Sequence, residues 1–145
     1  MAIVGLPLPS GFDYQAQMFP ILTSAQIDRI RPWAKLRPVQ AGEILFQPGD
    51  EHVPFFVLLS GNLEIVQPGT PQQTTIVTHQ PGGFAGEITT MSGQRAFVIG
   101  RVANSGEFLE VRHEDFRTLI ARDAELSEVF LKAFILRRVA LMQRW

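Results

Sequence analysis

The chain has 145 residues, of which 46% are hydrophobic and 19% are charged, which is the size and mix of one globular domain that buries its own core. Its 13 Lys and Arg balance 14 Asp and Glu, so no positive field exists to attract nucleic acid or anionic lipid. The absence of Cys excludes disulfides, thiolate nucleophiles and thiolate metal sites within this sequence, and it favours a cytoplasmic location.

The hydrophobic segments are too short for a membrane span. The longest apolar runs, at 54–59 and 133–136, fall far below the roughly 18 residues that a span needs. Residues 1–8 are apolar, but they carry no basic residue and are interrupted by Pro7, which is unlike a signal peptide. We therefore predict neither a membrane partner nor a direct nucleic acid partner.

The N-terminal part predicts an arm followed by one short helix. Residues 1–18 hold prolines and a few glycines among scattered hydrophobic residues, which is typical of an extended arm. Thr23 or Ser24 can cap a helix, because a side-chain oxygen at that position accepts a free backbone N–H. Ile27 and Ile30 then recur near helical spacing until a proline ends the run.

The central part predicts strands. From Leu36 to Arg112, short apolar stretches alternate with breaks rich in glycine, proline and serine. The stretches richest in β-branched and aromatic residues are 44–46, 55–59, 63–66, 74–78, 97–102 and 108–111. Breaks at this spacing indicate antiparallel strands, because parallel strands need longer, usually helical, crossovers.

The C-terminal part switches to a helical period. Phe116, Leu119 and Ile120 mark one short helix, and Asp123 can cap a second that continues without Gly or Pro. Together these signals predict an α+β domain, mainly β, over residues 19–145. We expect an eight-stranded antiparallel β-roll or jelly roll with one short N-terminal helix and two C-terminal helices.

The last predicted helix is apolar over a stripe wider than one core contact requires. The apolar residues run from Leu126 to Trp145, and Arg137, Arg138 and Arg144 fill the remaining face. Part of the stripe is expected to contact a partner or a second copy of the chain in a homodimer. The alternative is that the whole stripe packs on the strands and the N-terminal arm.

The segment 81–96 differs from the other turns because it is long and glycine-rich and contains both an acid and a base. If residues 87–91 form one helical turn, its free N–H groups face outward as a cradle for an anion. Arg95 can fold back onto the same anion, and the Glu87 carboxylate can accept a hydrogen bond from a ligand hydroxyl. The pattern indicates a cyclic phosphate with a neighbouring hydroxyl. The alternative is a Glu87–Arg95 ion pair that pins the loop without a ligand, although such a pair does not require so many glycines.

The order of elements and the Gly-Glu-Ile loop followed by Arg-Ala resemble the cyclic nucleotide-binding domain of the CRP/FNR type, over about residues 19–142. By this resemblance, the first part of the loop contacts ribose and phosphate, and its arginine neutralises the phosphate of cAMP or cGMP. The implied site residues are Gly86, Glu87, Ile88, Thr89, Arg95 and Ala96.

The loop departs from the pattern of that family in several places. It is shorter than usual, and Gln94 stands where a proline often precedes the arginine. Ala96 replaces a common Ser or Thr, so one hydroxyl ligand of the phosphate is lost, whereas Thr89 and Thr90 can supply a substitute. An alternative function is therefore a degenerate, nucleotide-free roll that serves as an interaction or dimerisation module.

A narrower resemblance concerns segments 86–95, 125–128 and 133–139, which are similar to the regulatory module in front of thioredoxin-reductase-like flavoproteins. It implies a regulatory domain that controls an attached or partner enzyme, whose dithiol and flavin lie beyond Trp145. The chain itself is then expected to carry no catalytic residue. No helix-turn-helix is expected either, because the sequence stops directly after the last predicted helix.

Enzymatic alternatives find little support in the residue pattern. His52, His79 and His113 are widely separated and form no His-x-His pair, so we predict no metal site of the cupin type. Ser60 and Ser92 lie in turns without the sequence of a nucleophile elbow.

The two remaining hypotheses make different structural predictions. Ligand binding predicts a cavity between the loop, the interior of the roll and the start of the last helix, and that helix moves when the cavity is filled. The interaction module predicts a tight Glu87–Arg95 pair and no open cavity.

Overall fold

The computed structural model describes residues 14–69 and 72–142. Its helices are α1 (Tyr14–Met18), α2 (Ser24–Ile30), α3 (Glu87–Ser92), α4 (His113–Arg122) and α5 (Ala124–Met142), with a 3₁₀ turn at Arg31–Trp33. Its strands are β1 (Ala34–Val39), β2 (Ile44–Phe46), β3 (Phe55–Leu58), β4 (Asn62–Gln67), β5 (Thr74–His79), β6 (Phe84–Ala85), β7 (Ile99–Asn104) and β8 (Gly106–Val111).

The strands form two four-stranded sheets, with the orders β1-β8-β3-β6 and β2-β7-β4-β5. All their pairings are antiparallel. The prediction of a mainly β domain with eight antiparallel strands is therefore confirmed for the described residues. Most successive strands change sheet, so the two sheets enclose one hydrophobic cluster between them.

Strand β3 supplies side chains to two cores at once. Phe56 and Leu58 point into the cluster between the sheets. Phe55 and Val57 point the other way, into a second cluster beneath the helices. All four residues are fully buried, which explains why this strand is a continuous apolar run rather than an alternating pattern.

Stacked phenylalanines attach the C-terminal helices to the outer face of the first sheet. Phe55 stacks on Phe116 of α4 with ring centroids 4.1 Å apart, and it lies 4.9 Å from Phe130 of α5. Phe84 of β6 meets Phe130 edge-on, also at 4.9 Å. Because aromatic pairs add to ordinary area burial, this cluster holds the first half of α5 in place.

Local capping signals are realised as the sequence predicts. Thr23 caps α2 in a reciprocal capping box with Gln26. Asp123 lies between α4 and α5, where its carboxylate accepts the backbone N–H of Leu126. Arg29 of α2 donates to the same carboxylate and lowers its pKa, so this cap also joins α2 to α5.

Some elements were not predicted. Strand β1 is an edge strand that pairs only with β8, and its exposed Leu36 and its Pro38 hide the strand pattern. Helix α1 adds a second helix before the strands, at the end of the predicted arm. The rest of that arm, residues 1–13, lies outside the described residues, as do Arg144 and Trp145.

Within residues 14–69 and 72–142, no helix has both the length and the apolar composition required to cross a bilayer.

The phenylalanine cluster predicts that replacing neighbouring side chains of α5 by alanine changes the free energy of unfolding by very different amounts. Phe130→Ala removes a fully buried ring and should lower the free energy of unfolding by about 3–5 kcal/mol. The neighbouring Leu131→Ala is the matched control, because that side chain is 46% exposed and its loss should cost within about 0.5 kcal/mol. Urea denaturation of both variants measures the difference, and equal losses would contradict the described orientation of α5.

Candidate ligand-binding cavity

A cavity of about 280 Å³ lies between the inner face of the second sheet, the loop around α3 and the C-terminal half of α5. Apolar side chains form most of its wall, among them Phe46, Ile65, Val77 and Leu141. Among the described residues, four polar side chains also line it: His79, Glu87, Thr89 and Arg137. A largely apolar pocket with a few grouped polar atoms is the usual form of a small-molecule site.

The cavity contacts a different part of the last helix from the part that the sequence predicted. The prediction placed the start of that helix at the cavity, whereas the structure places Arg137, Ala140 and Leu141 there. The reason is that the first half of α5, through Leu126 and Phe130, packs into the core beneath the helices. Only the second half extends to the mouth of the roll.

A buried ion pair crosses the cavity wall. Arg137 of α5 donates from Nη1 to Glu87 Oε1 of α3 at 2.6 Å, and the two side chains are only 8% and 1% exposed. The same guanidinium donates to the carbonyls of Met18 at 2.8 Å and Phe84 at 3.1 Å. Its carbon lies 4.5 Å above the ring of Phe84 and 5.5 Å from that of Phe19. Arg137 thus connects α5 to α3, to β6 and to the end of α1.

This pair corrects two expectations from the sequence. Arg137 was assigned to the polar face of the last helix, but it is among the buried polar residues. Glu87 was expected to pair with Arg95 if the loop bound no ligand, but its described partner is Arg137. The predicted signs of a ligand-free interaction module, a Glu87–Arg95 pair and no open cavity, are therefore both wrong.

Three buried polar atoms at the cavity have no hydrogen-bond partner among the described residues: Glu87 Oε2, Thr89 Oγ1 and Arg137 Nη2. A buried polar group left unsatisfied costs about 1–3 kcal/mol, so native proteins rarely keep several together without a purpose. The carboxylate oxygen can accept a hydrogen bond from a ligand hydroxyl. The threonine hydroxyl and the guanidinium nitrogen can donate hydrogen bonds to an anion. The group as a whole therefore suits a ligand that carries both.

Arg95 lies away from these atoms. Its side chain is 67% exposed and pairs with Glu51 at 2.7 Å, and its Nη1 also reaches the carbonyl of Gly49 at 3.4 Å. The other predicted site residues, Gly86, Glu87, Ile88, Thr89 and Ala96, all line the cavity. The role of Arg95 toward a phosphate stays a prediction.

The backbone holds the loop in place at both ends. Gly86 precedes α3 with φ of +96°, and a Cβ at this position would overlap the carbonyl oxygen of Pro54, so only glycine fits. At the other end, Ala96 donates its N–H to the carbonyl of Asp50, and its own carbonyl accepts from Gly49. These contacts fix the positions of Glu87 and Thr89 relative to the sheets.

His79 forms part of the cavity wall as a neutral ring. It is buried at the end of β5, and its ring meets Phe19 edge-on at 6.0 Å. Burial, together with the positive charge of Arg137, lowers the pKa of His79 to about 3. The imidazole is therefore uncharged at neutral pH.

The other two histidines meet outside the cavity. The rings of His52 and His113 lie 4.7 Å apart, although the residues are far apart in sequence. His113 Nδ1 is also 2.8 Å from Thr90 Oγ1 of α3. Across the described part of the chain, no group of three or more His, Cys, Asp or Glu residues is arranged to hold a metal ion.

The comparison with protein families agrees with this geometry. A family model described as the cyclic nucleotide-binding domain matches residues 36–123. The chain belongs to this family.

Relatives of this cyclic nucleotide-binding domain occur in several settings. A cyclic nucleotide-gated potassium channel of Mesorhizobium japonicum is 26% identical over 106 residues, which are 73% of this chain and 28% of the channel. The catabolite activator protein of Thermus thermophilus superposes with a TM-score of 0.68 at 22% identity, over 88% of this chain and 60% of that chain. The regulatory domain of Toxoplasma gondii PKA, solved with cAMP, superposes with a TM-score of 0.59 at 14% identity, over 68% and 38%. The two structural likenesses show the fold, and this chain spans about a quarter of the channel's length.

Sequence reasoning missed Arg137 and His79 as cavity residues of this cyclic nucleotide-binding domain. A signal for Arg137 was present, because it continues the helical series of Leu126, Phe130 and Ala133, all of which are buried. An arginine at the next position of a buried helical stripe predicts a buried acidic partner, because a buried guanidinium needs a compensating charge. His79 had no comparable signal, since its burial depends on α1 and α5.

The buried histidine predicts a pH-dependent stability. The unfolded chain binds a proton at His79 near the ordinary pKa of about 6.5, whereas the folded protein does so only near 3. Keeping His79 neutral in the folded state therefore costs no stability above about pH 6.5. As the pH drops toward 3, the unfolded chain gains a proton that the folded protein does not, and the free energy of unfolding falls by up to about 1.4 kcal/mol per pH unit. His79→Gln removes the titrating group, so its urea unfolding should lose stability more slowly on acidification than the unchanged protein. Identical pH profiles would contradict a buried neutral His79.

Proposed function

We propose that this chain is a regulatory ligand-sensing domain that binds a cyclic nucleotide, cAMP or cGMP, in the cavity and has no catalytic activity of its own. The observation that supports the proposal is the set of unpartnered atoms at Glu87, Thr89 and Arg137. A ribose hydroxyl can donate a hydrogen bond to the unpartnered oxygen of Glu87, and the oxygens of a neighbouring cyclic phosphate can accept from Thr89 and Arg137. The match to the family over residues 36–123 points to the same ligand class.

In this proposal each polar group has a separate role. Glu87 Oε2 accepts the hydrogen bond of the ribose hydroxyl, while Oε1 keeps its bond to Arg137. Arg137 Nη2 and Thr89 Oγ1 donate to the phosphate oxygens, and a charge-assisted bond from the guanidinium is the stronger of the two. Gly86, Ile88 and Ala96 complete the wall around the sugar and the phosphate.

A second positive charge is needed because Glu87 already neutralises Arg137. We propose that Arg95 supplies it by leaving Glu51 and turning toward the phosphate. Both members of the Glu51–Arg95 pair are more than half exposed, and an exposed ion pair contributes only about 0–1 kcal/mol. Exchanging Glu51 for a phosphate therefore costs little, and the adjoining Ala96 already lines the cavity.

The cavity is joined to the rest of the domain through Arg137. A ligand that shares Glu87 and Arg137 changes the strength of the contacts that hold the second half of α5 to α3, β6 and Met18. Such a ligand regulates only if it binds one position of α5 better than another. We propose α5 as the element that transmits binding.

For the protein that this domain regulates, we keep the proposal made from the sequence. The segments 125–128 and 133–139, which resemble a module of thioredoxin-reductase-like flavoproteins, both lie on α5. On that helix Leu131 and Ile135 are exposed one turn apart, as a contact with a partner or a second copy requires. A thioredoxin-reductase-like enzyme and a homodimer are the proposed partners.

Isothermal titration of the purified chain with cAMP and with cGMP tests the ligand. We expect micromolar or tighter binding of at least one of them. Arg95→Ala should abolish that binding and leave the unfolding free energy unchanged within about 0.5 kcal/mol, because the side chain is exposed. Silence from both ligands at millimolar concentration would overturn the proposal, and full affinity in Arg95→Ala would remove Arg95 from the site.

Thr89→Val separates ligand binding from folding. The substitution preserves the shape of the side chain and removes a buried hydroxyl that has no partner, so the free protein should be as stable as before or slightly more stable. Affinity for the cyclic nucleotide should fall about 2- to 12-fold, since one hydrogen bond is worth about 0.5–1.5 kcal/mol.

Thr118→Val is the matched control. That hydroxyl lies on the exposed face of α4, where it donates to the carbonyl of Glu114. The affinity of the Thr118→Val variant for the cyclic nucleotide should equal that of the unchanged protein. If Thr89→Val binds as tightly as this control, Thr89 is not a ligand contact.

A further inference from the structure

We infer that His52 and His113 form a pH-sensitive contact beside the loop around α3. Their rings stay together while at most one of them is charged, and they separate when both carry a proton. This contact lies outside the cavity and regulates it from there. Its effect on ligand affinity rests on the proposed function, whereas the contact itself does not.

The two histidines come from distant segments of the chain. His52 lies in the turn 49–53, between β2 and β3, and His113 is the first residue of α4. Their ring centroids are 4.7 Å apart, with an angle of 48° between the ring planes. Neutral imidazoles tolerate this distance, whereas two imidazolium ions at the same distance repel each other. Protonation of both rings therefore favours their separation.

The surroundings of His113 oppose its protonation. Burial is the largest cause that lowers the pKa of His113, followed by the positive charges of His52 and Arg117, while Glu114 acts in the opposite direction. His113 also stands at the N-terminal end of α4, where the helix dipole disfavours a positive charge. From α3, the uncharged Thr90 faces the ring. The pair is thus closed at neutral pH and becomes doubly charged only in acid.

The turn that carries His52 is the part that can move. His52 has a φ of +53°, a left-handed backbone conformation that is uncommon outside glycine, and its side chain is exposed. The neighbouring Glu51 is exposed too, and its carboxylate pairs with Arg95. His113, in contrast, is held to α3, because its Nδ1 lies 2.8 Å from Thr90 Oγ1. This hydrogen bond is possible in both protonation states, since a hydroxyl can donate or accept.

The same turn is attached to both ends of the loop around α3. Gly49 donates its N–H to the carbonyl of Ala96, and the carbonyl of Asp50 accepts the N–H of Ala96. At the other end, the carbonyl of Pro54 lies so close to Gly86 that a Cβ would not fit. Gly86 and Ala96 both line the cavity. Movement of the turn away from α4 therefore disturbs the cavity wall, and we expect acid to weaken ligand binding.

Nuclear magnetic resonance titration of the full chain tests the contact. The ring signal of His113 should titrate below the ordinary histidine pKa of about 6.5, and His52→Gln should shift its midpoint upward, toward that value. The amide signals of Gly86 and Ala96 should follow the same titration in the unchanged protein and lose this response in the variant. An unchanged His113 midpoint in His52→Gln would overturn the inference.

Glu114→Gln is the matched control, because it removes a charge that acts on His113 with the opposite sign. The midpoint of His113 should shift downward in this variant. Both substituted side chains are exposed, and far-UV circular dichroism confirms that the variants are folded. If both substitutions shift the midpoint in the same direction, the charge of His52 does not act on His113 and the inference fails.

Titration with cAMP and with cGMP at about pH 8 and about pH 5, on either side of the ordinary histidine pKa, tests the effect on the cavity. Affinity should fall on acidification by about fivefold or more, the lower end of the usual coupling between two sites, and it should fall less in His52→Gln. An equal fall in both proteins would overturn the link between the histidine pair and the cavity. Binding of neither ligand at either pH would overturn the proposed function, and the titration of His113 would still decide whether the contact exists.

Discussion

The buried pair between Glu87 and Arg137 is the contact on which the arrangement of this domain depends. Removing two charges from water is costly, and such a pair persists only where good geometry and further hydrogen bonds compensate. Arg137 meets that condition with two backbone carbonyls and two aromatic rings in addition to the carboxylate. Loss of either partner would leave an uncompensated buried charge, which costs about 3–5 kcal/mol in comparable cases.

The fold places this pair at the junction of two cores. Strand β3 fills the cluster between the sheets with one face and the cluster beneath the helices with the other. The helical cluster fixes the first half of α5 through Phe130, so the second half projects along the mouth of the roll. Arg137 is the next buried residue of this helix after Ala133, and its side chain faces the cavity instead of the core. Arg137 therefore belongs both to the cavity wall and to the contacts that hold the second half of α5.

This arrangement couples the cavity to the attachment of α5. Within the described part of the chain, three polar atoms at the cavity lack partners, and two of them belong to the pair that anchors α5. A ligand that satisfies these atoms acts directly on the attachment of a nineteen-residue helix. The opposing wall is formed by apolar side chains of the second sheet.

The sequence by itself determined the elements that depend on neighbouring residues. Thr23 caps α2 through residues within one turn, and Asp123 caps α5 in the same way. The antiparallel strands follow from short apolar stretches and their turns, and the helical turn considered at residues 87–91 is present as α3. Five of the six predicted site residues line the cavity, whereas Arg95 of the same loop pairs with Glu51 instead.

The tertiary structure alone decided which cation meets Glu87. Arg95 is eight positions away in the same loop, whereas Arg137 is fifty positions away on another helix, and the sequence offers no distance by which to choose between them. The choice is made by the phenylalanine cluster, which sets the path of α5 and so delivers Arg137 to the carboxylate. The burial of His79 has the same origin, because its ring meets Phe19, which directly follows α1, and lies near Arg137 of α5. Packing between distant segments, and not local propensity, completed the site.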